Sequence, residues 1–248
     1  MPNHPRLAHP PIIEALLNFQ ASAIVGWSGK DAQEKAQKIF PDHSQVQILQ
    51  QVSVQISGEA TEPSVMHSPS LGFMLRSAQL PTVHQVRQDG YAFSQLPPYE
   101  HWEAFVAAAQ EGWEMYRHVF HPGELHRLAL RFINRLEFPA DEFMKDRRSF
   151  LTISPSVPEG LNWAFFNFQQ HYSYSVPDSP CLVNVQLVRL IEPGNLDTSV
   201  MMLDTEVVLK EPLSALEWSV PQVLAEMRRL KNEAFFGILT QRALQRYV

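Results

Sequence analysis

The residues best suited to bind a ligand lie in the segment 127–135, RLALRFINR. Its alternating apolar residues predict a β-strand, and a strand directs successive side chains to opposite faces. Arg131 and Arg135 are therefore expected on one face, with Asn134 on the apolar face. Two guanidiniums on a sheet face can bind a carboxylate or a phosphate, and Arg87 is a further candidate for such an anion site. The alternative is that the arginines form structural ion pairs with Asp or Glu of a neighbouring strand.

Histidine and cysteine residues offer weaker chemistry. His118, His121 and His126 have the spacing H-x-x-H-x-x-x-x-H, which lacks the i, i+4 pair and the glutamate of a helical zinc site. We interpret them as capping and surface residues. The single cysteine, Cys181, follows Pro180 with no histidine nearby, so we predict a small buried residue rather than a nucleophile. One cysteine also excludes an intramolecular disulfide and indicates a reducing compartment.

Motifs that would identify an enzyme are missing from the sequence. It contains no G-x-S-x-G nucleophile elbow, no G-x-x-x-x-G-K-[ST] phosphate loop and no G-x-G-x-x-G dinucleotide signature. We therefore predict no catalytic residue, no metal ligand and no cofactor. The scattered Asp and Glu residues leave a metal-dependent hydrolase or nuclease as the weakest of the alternatives.

The charge of the chain bears on its partners. A net charge of −6 argues against broad binding of nucleic acid or anionic membranes. A basic stretch near the C-terminus is interpreted as an ordinary solvated face, although an anionic partner, nucleic acid included, stays open there. Its cations are Arg228, Arg229, Lys231, Arg242 and Arg246. Residues 1–11 have no apolar core of a secretion signal, and no apolar run approaches the roughly 18 residues of a membrane span. These features predict a cytoplasmic protein with no membrane contact.

Periodicity predicts the elements that position these residues. Strands are expected at 12–25, 45–57, 125–138, 165–176, 182–191 and 199–210, and the strand at 45–57 has a face rich in Gln and Ser. Residues 83–95 predict a hairpin, with Asp89 and Gly90 in a type I′ turn. Helices are expected at 30–40, at 99–118 with a heavy aromatic stripe, and after Ser219, which with Pro221 forms a good helix start. The aromatic stripe is interpreted as core, with a ligand pocket as the alternative.

The order of these elements predicts an α+β fold with antiparallel sheets and two long helices. It also repeats: a strand, a helix or linker, antiparallel strands and a long helix occur once in 1–123 and again in 124–248. We therefore consider an internal duplication of this unit, with both halves in one compact body. The alternative is one large mixed sheet with helices on one side.

Three stretches together resemble a known family. They are PPIIEALLNFQAS at 10–22, the block at 89–139, and LKNEAFFGILT at 230–240. Their order and spacing are similar to a sporadically distributed family of bacterial proteins in which a Trp- and Tyr-bearing helix precedes a strand R-x-x-L-R-[FY]-I-N-R, matched here at 127–135. The resemblance implies a bacterial, cytoplasmic protein without an established activity. The patchy distribution of that family suggests mobile or defence-associated genes.

Three functions remain open from the sequence. The first is a non-enzymatic binding or regulatory protein that acts through a protein partner, with a homodimer as one form. The second is a domain that senses a small anionic ligand or a nucleotide through Arg131, Arg135, Asn134 and Arg87. The third is the metal-dependent hydrolase or nuclease. We rank them in this order because catalytic motifs are missing and the composition is that of an ordinary globular protein.

Overall fold

The structure is a computed structural model that describes residues 4–55, 64–163, 166–194 and 197–248. The chain divides into two compact units, which we call unit 1 (Met1–Ala15 and Ala129–Val248) and unit 2 (Leu16–Leu128). Both boundaries fall inside strands, one in β1 (Ile12–Ala21) and one in β6 (Leu125–Pro139). The predicted α+β class with antiparallel pairing is confirmed.

Unit 2 contains a sheet and two helices. After β1 come α1 (Gly29–Ile39), β2 (Gln45–Gln55), β3 (Ser64–Arg76), β4 (Thr82–Arg87), β5 (Gly90–Gln95) and α2 (Trp102–Phe120). The strands are hydrogen-bonded in the order β2-β3-β4-β5-β1-β6, and the ladders from β2 to β5 are antiparallel. Helix α1 packs against β3, and α2 packs against β5. The predicted Gln-rich face of 45–57 lies partly outside the described residues.

The aromatic stripe of α2 packs in the core of unit 2. Phe105, Trp113 and Tyr116 are buried, and the Trp113 ring stacks on Phe19 of β1 with 5.0 Å between centroids. The helix is 19 residues long and ends at His121, whose φ of 48° is left-handed. The interpretation of this stripe as core is confirmed, because large aromatic side chains supply much of the apolar area that unit 2 buries.

The hairpin of β4 and β5 is confirmed, but its turn differs from the prediction. Arg87 pairs with Gly90, which leaves Gln88 and Asp89 as the loop residues, and neither has a positive φ. The predicted type I′ turn centred on Asp89 and Gly90 is therefore wrong. Gly90 begins β5 with φ at 147°, and a Cβ atom there would lie 2.1 Å from the carbonyl oxygen of Phe19. Glycine is required at this position because the backbone of β1 passes too close for a side chain.

Unit 1 contains the second sheet segment and three helices. After β6 come α3 (Ala140–Lys145), β7 (Gln169–Ser175), β8 (Cys181–Leu190), β9 (Thr198–Leu209), α4 (Val220–Ile238) and α5 (Gln241–Leu244). The strand order is β1-β6-β9-β8-β7, and β6, β9, β8 and β7 pair antiparallel. Of the predicted strand at 165–176, residue 165 lies outside the described residues, and β7 covers Gln169–Ser175. Helix α4 packs against β8 and β9, and α3 packs against β9.

Helix α4 begins as the sequence predicts. Ser219 is its N-cap, the Ser219 N–H donates to Oε1 of Gln222 at 2.8 Å, and Pro221 lies in the first turn. The buried side chains of α4 include Val223, Met227, Leu230 and Ile238. They cover one face of the sheet in unit 1, which we call the α4 face. The opposite face is partly exposed and carries the charged residues of β6 and β9.

Candidate functional site

Arg131 lies on the partly exposed face of β6 and is paired with a carboxylate. Its Nε donates to Oδ1 of Asp204 on β9 at 2.9 Å, and its Nη2 also bonds Asp204. The hydrogen bond to Asp204 is the main reason that the pKa of Arg131 is raised, and the charges of Glu206 and Glu14 act in the same direction. The guanidinium is therefore held in a bidentate ion pair across the β6–β9 ladder.

Arg135 lies on the same face, two residues further along that side of β6, and it also has carboxylate partners. Its Nη2 donates to Oε2 of Glu192 at 2.9 Å, and its Nε donates to Oε1 of Glu137 at 2.9 Å. The bond to Glu192 is the first cause of the raised pKa of Arg135. An external anion at Arg131 or Arg135 would have to compete with carboxylates that are already in place.

The other two predicted ligand residues lie elsewhere. Asn134 is buried on the α4 face, opposite the two arginines, as the strand alternation predicts. Its Nδ2 makes one long hydrogen bond, 3.4 Å to the carbonyl oxygen of Leu203. Arg87 belongs to unit 2, where its Nη2 donates to Oδ1 of Asn18 at 2.6 Å and its Nε lies 3.3 Å from Asp89. Of the four candidates, the structure groups only Arg131 and Arg135 on one face.

A double-mutant cycle on Arg131 and Asp204 measures what this pair contributes. We expect Arg131→Met and Asp204→Asn each to lower the free energy of unfolding, and the double variant to lose less than the sum of the two. The difference, the coupling energy, should be about 0.5–1 kcal/mol, a modest value because the pair is partly exposed. Urea unfolding of the four proteins gives this value. A coupling energy of zero would mean that the pair has no structural role.

Two histidines that the sequence did not single out form a buried cluster in unit 2. Nδ1 of His84 lies 2.7 Å from the Tyr91 hydroxyl, Nε2 of His43 lies 2.8 Å from Oγ1 of Thr82, and the two imidazole rings are 4.3 Å apart. Phe40 stacks on His84 at 3.9 Å. Burial, and secondly the nearby His43, lower the pKa of His84 to about 3, and burial also lowers the pKa of His43. Both rings are therefore neutral near pH 7.

The other residues with reactive side chains are engaged or shielded. The prediction of a buried cysteine is confirmed, and burial raises the pKa of the Cys181 thiol to about 11, which keeps it a poor nucleophile. Arg229 of the basic C-terminal stretch donates to Glu226 at 2.7 Å and to Glu233 at 2.6 Å. Within the described ranges, no group of three or more His, Cys, Asp or Glu residues is placed to hold a metal ion.

Exposed aromatic side chains lie on the outer strand of unit 1 and in the segment just before it. Trp163 and Phe166, which precede β7, are 70% and 75% exposed, and Tyr174 of β7 is 45% exposed. Arg189 of β8 holds this segment in place, because its backbone N–H donates to the Phe168 carbonyl oxygen at 3.1 Å. We call Trp163, Phe166, Tyr174 and the edge of β7 the β7 surface. The sequence suggested strand character here but not exposure, which depends on the strand order.

The sequence matches no model of a known protein family, and none of the curated proteins matches it. Among the helices described here, none combines the length and apolar character needed to cross a membrane.

Proposed function

We propose that this chain is a non-enzymatic binding or regulatory protein that acts through a protein partner, and that the partner docks on the β7 surface. The observation that carries the proposal is the exposure of Trp163 and Phe166 beside a strand whose outer edge has no partner among the described residues. Aromatic residues are enriched at protein–protein interfaces. Tryptophan is also among the residues that contribute most to protein–protein affinity.

The edge of β7 supports the same proposal. Its sequence, QQHYSYS, contains no Lys, no Glu, no Asp and no Pro. Proteins commonly protect an open edge with such residues, because free N–H and C=O groups there can pair with another strand. Tyr172 and Tyr174 stack with 6.0 Å between centroids and add aromatic area along the strand. An extended segment of a partner could therefore extend the sheet while its apolar side chains contact the aromatic residues.

A pull-down that compares the wild-type protein with variants of the β7 surface tests this function. With the tagged protein in a lysate of the organism that encodes it, we expect a stoichiometric partner that is retained about tenfold less by the double variant Trp163→Ala/Phe166→Ala, because aromatic contacts of this kind contribute about 1 kcal/mol or more. Leu80→Ala and Val25→Ala, at exposed apolar residues of unit 2, are the matched controls and should retain it. If the wild type, the double variant and the two controls all retained the partner equally, the β7 surface would not be its docking site.

Several finer expectations belong to the same proposal. We propose a cytoplasmic location and an association with defence or mobile genes, which the family resemblance and the single cysteine support. A homodimer is one form of the partner interaction, since an antiparallel pair of identical edge strands is self-complementary. The sensing of an anion by Arg131 and Arg135 is a second proposal, and their existing carboxylate partners make it the weaker one.

The internal duplication is also proposed, and the topology of each unit supports it. In unit 2 the first strand, β1, lies beside the last strand, β5, and the remaining strands follow outward in reverse order to β2. In unit 1, β6, most of which belongs to this unit, lies beside the last strand, β9, and the order runs outward to β7. A helix of 19 residues, α2 or α4, follows the last strand of each unit. Unit 2 differs by having one additional strand.

A further inference from the structure

The amine of Lys231 on α4 has no carboxylate partner among the described residues. Lys231 projects from α4 toward the sheet, and its Nζ lies 4.1 Å from the centroid of the Phe132 ring on β6. The residue is partly exposed as a whole, and within the described part of the chain its amine has neither a hydrogen bond nor an ion pair. Lys231 therefore packs against the sheet, unlike a side chain that projects entirely into solvent.

A hydroxyl group with no hydrogen-bond partner among the described residues lies on β9, opposite the Phe132 that Lys231 contacts. Thr205 of β9 pairs directly with Phe132 in the β6–β9 ladder, so both side chains are on the α4 face. Thr205 is 1% exposed, and its Oγ1 has no hydrogen-bond partner among the described residues. On its other side it pairs with the buried Val185 of β8. A hydroxyl in such apolar surroundings is costly unless it gains a hydrogen-bond partner, because burial removes the water that would otherwise bond to it.

Asn134 completes the group of donors. It lies two residues from Phe132 on the same face of β6, and it is 3% exposed. Its amide nitrogen has two hydrogens, and the described structure gives it the single long bond to Leu203. We call Lys231, Thr205 and Asn134 the Lys231 cluster. An ammonium, a hydroxyl and an amide N–H can all donate hydrogen bonds, and an oxyanion is the acceptor that satisfies all three.

The charged groups around Lys231 do not supply that acceptor. Arg228, on the same helix, lowers the pKa of Lys231 through its own positive charge, so it cannot serve as the acceptor. Glu226 and Glu233 of α4 are engaged by Arg229. Asp204 and Glu206 of β9 alternate with Thr205 and therefore project to the opposite face, where Arg131 bonds Asp204.

We propose that the Lys231 cluster binds a small oxyanion, the carboxylate or phosphate group of a small molecule, between α4 and the sheet of unit 1. This site goes beyond the proposed partner interaction and differs from the anion site predicted at Arg131 and Arg135. There, every guanidinium already has a carboxylate, whereas the Lys231 amine has none. An anion beside the protonated amine would gain an ion pair.

Proton uptake provides a specific signature of this site. Burial, and secondly Arg228, lower the pKa of Lys231 to about 7, so the amine is mostly unprotonated at about pH 8. A bound anion favours the protonated amine and raises its pKa. Binding at about pH 8 should therefore take up close to one proton per anion, whereas a merely structural lysine would give none.

Calorimetric titration with sulfate and with acetate tests the proposal, because both anions stay ionised at about pH 8. Proton uptake is measured by repeating each titration in two buffers with different heats of ionisation. Sulfate stands in for a phosphate group and acetate for a carboxylate, so the preferred probe identifies the ligand class. We expect at least one of them to bind the wild-type protein with uptake of a proton.

Three variants define the site. Lys231→Met should abolish both binding and proton uptake, and Lys145→Met, at an exposed lysine of unit 1, is the matched control that should retain both. Thr205→Val removes the buried hydroxyl that has no partner among the described residues, so the midpoint temperature of thermal unfolding should rise by about 2–4 °C. Because the same hydroxyl would donate to the anion, the affinity for the anion should fall about tenfold. Such a variant remains informative because it is more stable than the wild type. Failure of both anions to bind, or unchanged binding by Lys231→Met, would overturn the proposal.

Discussion

Acidification from pH 6.5 to about pH 4 should lower the free energy of unfolding of this protein by about 3 kcal/mol through His84 alone. His84 is buried between Phe40 and the His43 ring, and it bonds the Tyr91 hydroxyl. Burial first, and His43 second, lower its pKa from 6.5 to about 3. A loss of this size is a large part of the roughly 5–15 kcal/mol that stabilises a typical domain.

The direction of the effect follows from proton binding in the two states. Between about pH 6.5 and pH 3 the unfolded chain binds a proton at His84, whereas the folded chain does not. The unfolded state therefore gains stability as the pH falls through this window. Above pH 6.5 both states are neutral at His84, so this residue adds no pH dependence there. The lowered pKa of His43 acts in the same direction and steepens the loss.

Urea unfolding at a series of pH values measures this loss. We expect the His84→Gln variant to be less stable than the wild type near pH 7, because it loses the stacking on Phe40. Below pH 6.5 its stability should fall less steeply than that of the wild type, since one titrating group is gone. The double variant His43→Gln/His84→Gln should have the shallowest slope. Equal slopes for the wild type and His84→Gln would show that the buried imidazole does not cause the acid sensitivity.

Gly90→Ala should strongly destabilise unit 2, with a loss of about 3 kcal/mol or more. The φ of 147° at Gly90 is a conformation that residues with a side chain rarely adopt. The new Cβ would also lie 2.1 Å from the carbonyl oxygen of Phe19, and 3.0 Å from the Cα of Gln20. Both neighbours are backbone atoms of β1 and cannot rotate away. The strand would have to move, which disrupts the core beneath it.

Gly237→Ala is the matched control for this prediction. Gly237 lies in the last turn of α4, where an added methyl group would have no atom within 4 Å and where φ is not positive. Alanine there should raise the free energy of unfolding by about 0.5–1 kcal/mol, because it favours the helix over the unfolded chain. The midpoints of guanidinium unfolding compare the two variants. A Gly90→Ala protein within about 1 kcal/mol of the wild type would contradict the steric explanation.

The amino-acid sequence by itself determined the local elements. Alternation along 127–135 placed Arg131 and Arg135 on one face and Asn134 on the other, as observed in β6. Helical spacing identified the buried stripe of α2, and Ser219 with Pro221 marked the start of α4. These properties depend on residues within a few positions of one another, because the helix repeat and the strand alternation are set by the backbone.

Only the tertiary structure decided which distant residues meet. Asp204 is 73 residues from Arg131, and the antiparallel register of β6 and β9 brings the two together. The same register places Thr205 beside Phe132, and the packing of α4 brings Lys231 over that ring. The His43–His84 contact and the open edge of β7 likewise depend on strand order. Register and strand order arise from the burial of the whole core, to which all of these segments contribute, so no local pattern specifies them.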